Sequence, residues 1–591
     1  MSFGQSARAW AFPRLRVGIA ALVERNWVLL VLGLLHTLAY GGFFVVMHLK
    51  SLAWAPGQVL EPLPWYWEWF YRSVLSEERV LAARRSDLAA LHPFYLLTSL
   101  ALVSLIYVLL LRWLRSLPVE RQPRLQVLLG LVVLASVPLV ALPNLLSGDV
   151  YSNISFGRVA VVHGGNPFID PPSRFRSDPL YRWVNWKQVA SVYGPGWIYP
   201  SILLTIIVNS IKPHVITYLL AYKLLALTLH FVNGWLLWTI LTRWRPEQRA
   251  WGSALYLLNP LTLIEFVGNA HNDVLMITFI LLGVWLHLRG FWYWTIAAFT
   301  LAVLTKWIAL PLLPLYGLAL LWQAPSWRDR ARKTMAGAAI VAVLCVGLYR
   351  PYWEGKATLK ILFDAPPQQR LINSLGEVIS NDIQREMWRR NRWPNPALVD
   401  AIGLYNTAAS RSITSSTLRQ PGTNELWSKQ RSQFIRDRAR IRAEQTLAKV
   451  NRDWLNGKIR LAALVLLGAA CLVGAAVTRN LRMALLAGAW IFFVYCAIGA
   501  VWFWPWYVTW LVALAALLDW RVTGRTAVLF SLLAPLTYVF FPTLPDPVWW
   551  QRYRAVMIIV PPLLFAAWHG VRVLRETWQR WRSRKLVSVS A

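Results

Sequence analysis

Asp149 stands where a long apolar run gives way to polar sequence, in Ser147-Gly-Asp-Val-Tyr-Ser-Asn-Ile-Ser-Phe-Gly-Arg158. A carboxylate at such a boundary is partly desolvated, which lifts its proton affinity toward that of a general base. Asp149 or Ser147 also suits the first turn of a following helix as a cap, and residue type alone does not choose between the two. Arg158, nine positions on or about 2.5 helical turns, could neutralise a phosphate or sit among lipid head groups. In His163-Gly-Gly-Asn-Pro-Phe168 and Tyr193-Gly-Pro-Gly196 the glycines and prolines are turn formers. Tyr193 adds an aromatic face that could line a sugar site. No His, Asp or Glu spacing typical of zinc surrounds His163, which reads as structural.

Further charged groups lie where charge is costly. Leu258-Asn-Pro-Leu-Thr-Leu-Ile-Glu265-Phe-Val-Gly-Asn-Ala-His-Asn-Asp273 joins two apolar runs and carries Glu265, His271 and Asp273. Ionisable residues at such depth face a cavity or a partner, although Asp273 could equally cap the next helix. Lys223 and Lys306 are set among apolar residues and suit either snorkelling to the interface or a lipid phosphate. Trp502-Phe-Trp-Pro-Trp-Tyr507 reads as an interfacial aromatic belt or as a substrate rim. Arg552 and Arg554 open the last apolar run, and one of them is a further candidate for phosphate.

The elements that must position these groups are membrane helices. Of 591 residues 57% are hydrophobic and 15% charged, against about 25% charged in a soluble domain. The charges fall between apolar runs of about 17 to 25 residues, each long enough to span hydrocarbon as a helix. The short alternating segments of a transmembrane barrel are absent. The expected fold is therefore an all-α polytopic membrane protein with about fourteen crossings, in the range of roughly 12 to 15. Trp197–Ile211 is too short for a normal span and is read as re-entrant or interfacial.

Lys and Arg concentrate in alternate connections: Arg8 to Arg16, Arg112 to Arg124, Arg243 to Arg249, Arg328 to Lys333, Arg479 and Arg482, and the tail from Arg572. Placing these inside puts both termini in the cytoplasm and the polar segments 147–196, 268–273, 351–457, 502–507 and 542–554 outside. The expected organisation is a transmembrane region 1–350 with a catalytic loop at 147–196, a polar insertion 351–457, a second transmembrane region 458–570 and a basic tail 571–591. The N-terminus shows no cleavable-signal pattern, so the first span should remain as an anchor. The net charge of +34 lies between spans rather than in one basic domain, which disfavours nucleic acid. It suits topology, membrane lipids or a phosphorylated lipid substrate. Cys345, Cys471 and Cys496 all fall in apolar runs and offer neither a disulfide framework nor a metal site.

Together, Gly148-Asp-Val-Tyr151, Gly157-Arg158, Asn166-Pro-Phe168, Tyr193-Gly-Pro195, Leu258-Asn-Pro260, Gly268-Asn-Ala-His-Asn-Asp273, the Lys306 span and Pro505-Trp-Tyr507 resemble the polyprenol-phosphomannose-dependent α-1,6-mannosyltransferases. These belong to the GT-C superfamily of membrane glycosyltransferases. The likeness covers roughly 145–320 and 480–520. It implies an inverting transferase of the cytoplasmic membrane with an extracytoplasmic site. The donor would be a polyprenyl-phosphate sugar, mannose first, and the acceptor a glycan or glycolipid. Asp149 would be the base, and Arg158, Lys223, Lys306, Arg552 or Arg554 the phosphate-binding cations. Tyr151, Asn166, Tyr193, His271, Asn272, Asp273, Trp506 and Tyr507 would contact sugar or acceptor. No cofactor is implied beyond the donor lipid, and a divalent metal is left open. Glu265 departs from the family pattern, and the 351–457 insertion is long for it. Two other classes compete. A flippase of lipid-linked sugars should show internal repeats with paired broken helices, and none is evident. A ligase or polymerase of O-antigen type would explain the large loop but not the Asn-Pro…His-Asn-Asp run.

Overall fold

The computed structural model describes residues 27–46, 88–141, 146–364, 370–390, 452–541 and 549–589. The basic N-terminal stretch, most of the 351–457 insertion with the charged run that starts at Asn424, and residues 542–548 lie outside the described residues.

Among the described residues helices carry the fold and no strand forms; one isolated parallel bridge joins Ile372 to Trp502. Eight helices among the described residues are long and apolar enough to cross a membrane. They include Trp27–Val46, Pro93–Ser116, Val215–Trp244, Trp327–Tyr352, Arg452–Val477 and Arg554–Val573. A ninth is added if the bent pair Pro260–Gly268 and Asp273–Leu288 forms one span. Shorter apolar helices accompany them at Leu125–Ala141, Pro195–Ile211, Trp292–Thr305, Trp307–Trp322 and Pro505–Leu517. The stretch read from sequence as a re-entrant or interfacial helix forms a 17-residue helix, Pro195–Ile211.

Burial separates two kinds of helix. Every residue from Ala250 to Thr278 is buried, so this polar-bearing segment runs through the centre of the bundle. By contrast the apolar window of Trp327–Tyr352 is 0% buried and that of Arg452–Val477 only 11%. Side chains such as Val343 and Leu472 project outward there. Water would penalise such a surface heavily, whereas lipid chains match it.

The central segment is shaped by local chemistry. Asn259 accepts from Leu261 N, and Pro260 follows at the first helical position, where its missing N–H costs nothing. The helix then widens into a π-helical turn, Leu263–Gly268, a form that is frequent at functional sites. The chain reverses by 117° before Asp273 starts the next helix. Ala270, at the reversal, has φ of +54°, a left-handed conformation that costs a non-glycine residue of order 1 kcal/mol and is held only by its surroundings.

Tyr193-Gly-Pro-Gly196 is also more than a turn. A Cβ on Gly194 would lie 2.1 Å from the Leu304 carbonyl oxygen, and one on Gly196 2.6 Å from Thr305 Oγ1. Only glycine lets this stretch of chain approach the end of the Trp292–Thr305 helix, immediately before Lys306. Gly194→Ala is therefore expected to lose about 1–3 kcal/mol, the usual cost of overpacking against a fixed backbone. Gly317→Ala, where nothing lies within 4 Å, should be neutral or slightly stabilising. Melting temperatures of the two variants in detergent check the contrast.

Candidate active site

A cavity of about 450 Å³ opens among the helix ends, within the size range of small-molecule sites. Asp149, Trp186, Tyr193, Lys306, Trp502, Trp506, Tyr507 and Trp510 contribute to its wall. Among the described residues that line it, Asp149 is the one acid and Lys306 the one cation.

Asp149 begins the Asp149–Val161 helix, and its backbone N–H donates to Ser147 Oγ at 3.3 Å. Its carboxylate does not cap the helix; it accepts from Trp186 Nε1 at 3.0 Å. Desolvation raises its pKa above the ordinary 3.8, against the pull of Trp186 and Lys306 and with a contribution from Asp273. A proton-accepting carboxylate in a mostly apolar wall is the arrangement that general-base chemistry requires.

Lys306 lies at a break in the helix, in extended conformation (φ −151°, ψ 121°) between Trp292–Thr305 and the short turn Trp307–Ala309. Its ammonium pairs with Asp273 Oδ1 at 2.7 Å and sits 5.3–5.6 Å from the ring centres of Tyr193, Tyr507 and Trp510. Cation–π attraction and one buried carboxylate thus hold a positive charge at the cavity. Asp273 also accepts from Trp510 Nε1, while its Oδ2 and both amide atoms of Asn272 are buried without a hydrogen-bond partner among the described residues. His271 is wholly buried and stacks on Trp506 at 4.1 Å.

Other expected site residues go elsewhere. Tyr151 is buried against Trp183. Asn166 donates to Tyr352 O and Glu354 Oε1, tying its loop to the 349–354 turn. Arg158 pairs with Asp178 at 2.9 Å and donates to Tyr218 OH. Lys223 is buried and donates to Leu139 O at 2.9 Å. Arg554 is held by Glu377 and Asn373, at 2.9 and 2.7 Å. Arg552 is exposed and is not on the cavity wall. Arg158, Lys223, Arg552 and Arg554 do not line this cavity. Lys306 alone of the five proposed cations reaches the cavity, and two of the others spend their charge on internal carboxylates.

Sequence reasoning passed over Trp186, Trp510 and Asn269. Trp186 lies in the polar loop already singled out, and Asn269 in the Gly268–Asp273 run; nothing local marks Trp510. The 370–377 segment was also missed: Ile372 exchanges backbone bonds with Val501 and Phe503, which anchors the aromatic rim. Among the described residues no group of three or more His, Cys, Asp or Glu could hold a metal ion.

Asp178 gives one pH-dependent contact outside the spans. Burial alone would raise its pKa, but Arg158, His163 and the Leu180 N–H outweigh this and hold it below 3.8. A carboxylate shifted down stabilises the fold above its unfolded pKa, and that contribution disappears as pH falls through the folded value. Asp178→Asn should therefore melt lower than wild type at pH 7, with the gap closing as the pH is taken below about 3.8. Melting curves across that range check the sign.

An integral membrane protein with an acid and a cation on the wall of one aromatic cavity is the class that the fold and site define. Part of its sequence is similar to known proteins. Residues 70–322 match the family model described as Alpha-(1->6)-mannopyranosyltransferase, N-terminal domain. Asp149, Asp273 and Lys306 all lie inside the matched region. Alpha-(1->6)-mannopyranosyltransferase B of Corynebacterium glutamicum is 28% identical over 160 residues, 26% of this chain and 25% of that protein. Alpha-(1->6)-mannopyranosyltransferase A of the same organism is 26% identical over 182 residues, 30% of this chain and 36% of its own. A probable alpha-(1->6)-mannopyranosyltransferase of Mycolicibacterium smegmatis is 26% identical over 165 residues, 27% of this chain and 28% of its own. The chain thus spans about a quarter to a third of the length of the curated relatives it matches. No solved structure matches it.

Proposed function

We propose that this protein is a membrane mannosyltransferase that moves mannose from a polyprenyl-phosphate donor to a glycan or glycolipid acceptor, with inversion at the anomeric carbon. The observation that carries the reading is the placement of Asp149 and Lys306 on the wall of one cavity. Asp149 takes the proton of the acceptor hydroxyl as its oxygen bonds to the sugar C1. The bond from C1 to the phosphate oxygen breaks, its electron pair stays on the phosphate, and Lys306 stabilises that charge. One base suffices, because a phosphate leaving group held by a cation needs no proton. Trp186 orients the carboxylate, and Tyr193, Trp506 and Tyr507 offer faces to the sugar.

The catalytic cavity is read as extracytoplasmic, in the cytoplasmic membrane. A second cavity of about 530 Å³, lined by Arg115, Gln122, Glu247 and Arg521, gathers connections that the charge pattern assigns to the cytoplasm. That grouping supports the assignment. Transfer from radiolabelled polyprenyl-phosphomannose in membranes containing the protein tests the reading. Labelled glycan is the expected product; absence of label with mannose donor but transfer from polyprenyl-phosphoglucose would replace the sugar, and transfer from neither would overturn the enzyme class.

A further inference from the structure

Behind the cavity wall lies a buried polar chain, Tyr538, Glu265, Asn269 and His271, none of which lines that cavity. Glu265 is 0% exposed, and its Oε1 accepts from Tyr538 OH at 2.9 Å. Its Oε2 accepts from Asn269 Nδ2 at 2.8 Å and lies 3.4 Å from His271 Nε2. Asn269, 2% exposed, turns its Oδ1 to two backbone donors, Leu146 N at 3.0 Å and Ser147 N at 3.3 Å. Ser147 Oγ in turn accepts from Asp149 N. On the other side, the His271 ring stacks on Trp506 of the cavity wall. One carboxylate therefore anchors connections to both walls of the site.

The cost of this arrangement argues for its use. A buried carboxylate with no Lys or Arg in bonding contact among the described residues is expensive, and a hydrophobic residue at 265 would pack without that penalty. The π-helical turn and the left-handed Ala270 are what bring Glu265 and Asn269 onto the 146–147 backbone. Sequence separations of 122 and 123 residues between Asn269 and its two backbone partners show that no local folding requirement explains the contact.

We propose that Glu265 and Asn269 are positioning residues, a strut that fixes the chain entering Asp149 and so sets where its carboxylate meets the acceptor hydroxyl. The proposal rests on the reading of Asp149 as base for its catalytic consequence, but not for its structural one. The direction of the bonds provides the test. Asn269→Asp sets two carboxyl groups against each other, so above the pH at which the pair gives up its shared proton no donor remains between them. Adding Glu265→Gln restores the chain with reversed polarity. The amide introduced at 265 then donates through its nitrogen to the carboxylate at 269, whose other oxygen still accepts from Leu146 and Ser147. Tyr538 still donates to the oxygen of that amide.

Hydrogen–deuterium exchange of the Leu146 and Ser147 amides, measured in detergent above that pH, reads the strut directly. Protection should fall roughly tenfold or more in Asn269→Asp and return in the double variant. In the transfer assay, kcat should fall about 10²-fold with KM unchanged, and it should recover with the second substitution. Unchanged protection in Asn269→Asp, or a double variant no better protected than the single, would overturn the strut. If Asn269→Asp yields no folded protein, recovery of folded protein by Glu265→Gln supports the proposal, and failure to recover it overturns it. Restored protection in a protein whose wild type transfers no sugar would leave the strut standing and remove the proposed activity.

Discussion

Asp149→Asn is expected to slow sugar transfer about 10³-fold, within the range a positioned base contributes, and to melt no lower than wild type. The second half of that result follows from linkage. Desolvation holds the Asp149 pKa above its ordinary 3.8, so the folded protein prefers the protonated acid. That stabilising contribution is complete below the unfolded pKa and is lost as pH rises through the folded value. At neutral pH the ionised carboxylate therefore works against folding, and an amide that cannot ionise relieves it. The hydrogen bond from Trp186 can be kept, because the Asn side-chain oxygen also accepts. The same shift sets the acid limb of kcat/KM, which should rise with pH through a midpoint above 3.8 and be absent in the variant. Near wild-type turnover by a well-folded Asp149→Asn protein would remove Asp149 from the mechanism.

Lys306→Met should reduce transfer about 10²–10³-fold, the scale of removing one electrostatic stabiliser from a site that excludes water. It should also destabilise the fold by roughly 3 kcal/mol or more. Asp273 is fully buried and keeps only the Trp510 bond once its cation is gone. The two effects separate in a second variant. Lys306→Met with Asp273→Asn removes the orphaned charge, so melting should return toward wild type while transfer stays low. Full recovery of transfer in that double variant would show that Lys306 serves only as the counter-ion of Asp273, and the phosphate would need another partner.

Much of the architecture was legible because a bilayer leaves the backbone few choices. An apolar run that crosses hydrocarbon must satisfy its own N–H and C=O groups, so each such run becomes a helix. The helix start at Asn259-Pro260, where Asn259 caps, was not read from the sequence. The polar connection Gly268–Asp273 was legible as a costly place for charge, and the fold uses it to carry Asp273 to Lys306. The count of crossings is another matter. Helices of 10–17 residues such as Pro195–Ile211 and Trp292–Thr305 fall below the length that decides spanning on composition alone.

Cations were the least legible feature. Arg158, Lys223, Lys306, Arg552 and Arg554 share an unfavourable setting for charge, which is all that a linear pattern records. Whether such a charge serves a ligand or the fold depends on what faces it, and those partners are remote in sequence. Glu377 is 177 residues from Arg554, and Trp510 is 237 from Asp273. Asp178 is nearer to Arg158, at 20 residues, but reaches it only through the folding of an irregular loop.

By itself the sequence determined the membrane-embedded helical class and the polar junctions, because these depend on the local cost of burying backbone and charge. The tertiary structure decided which carboxylate and which ammonium share a cavity and which buried groups merely support them. Those outcomes depend on packing between distant segments, where a few ångströms separate a ligand-facing charge from one neutralised inside the fold.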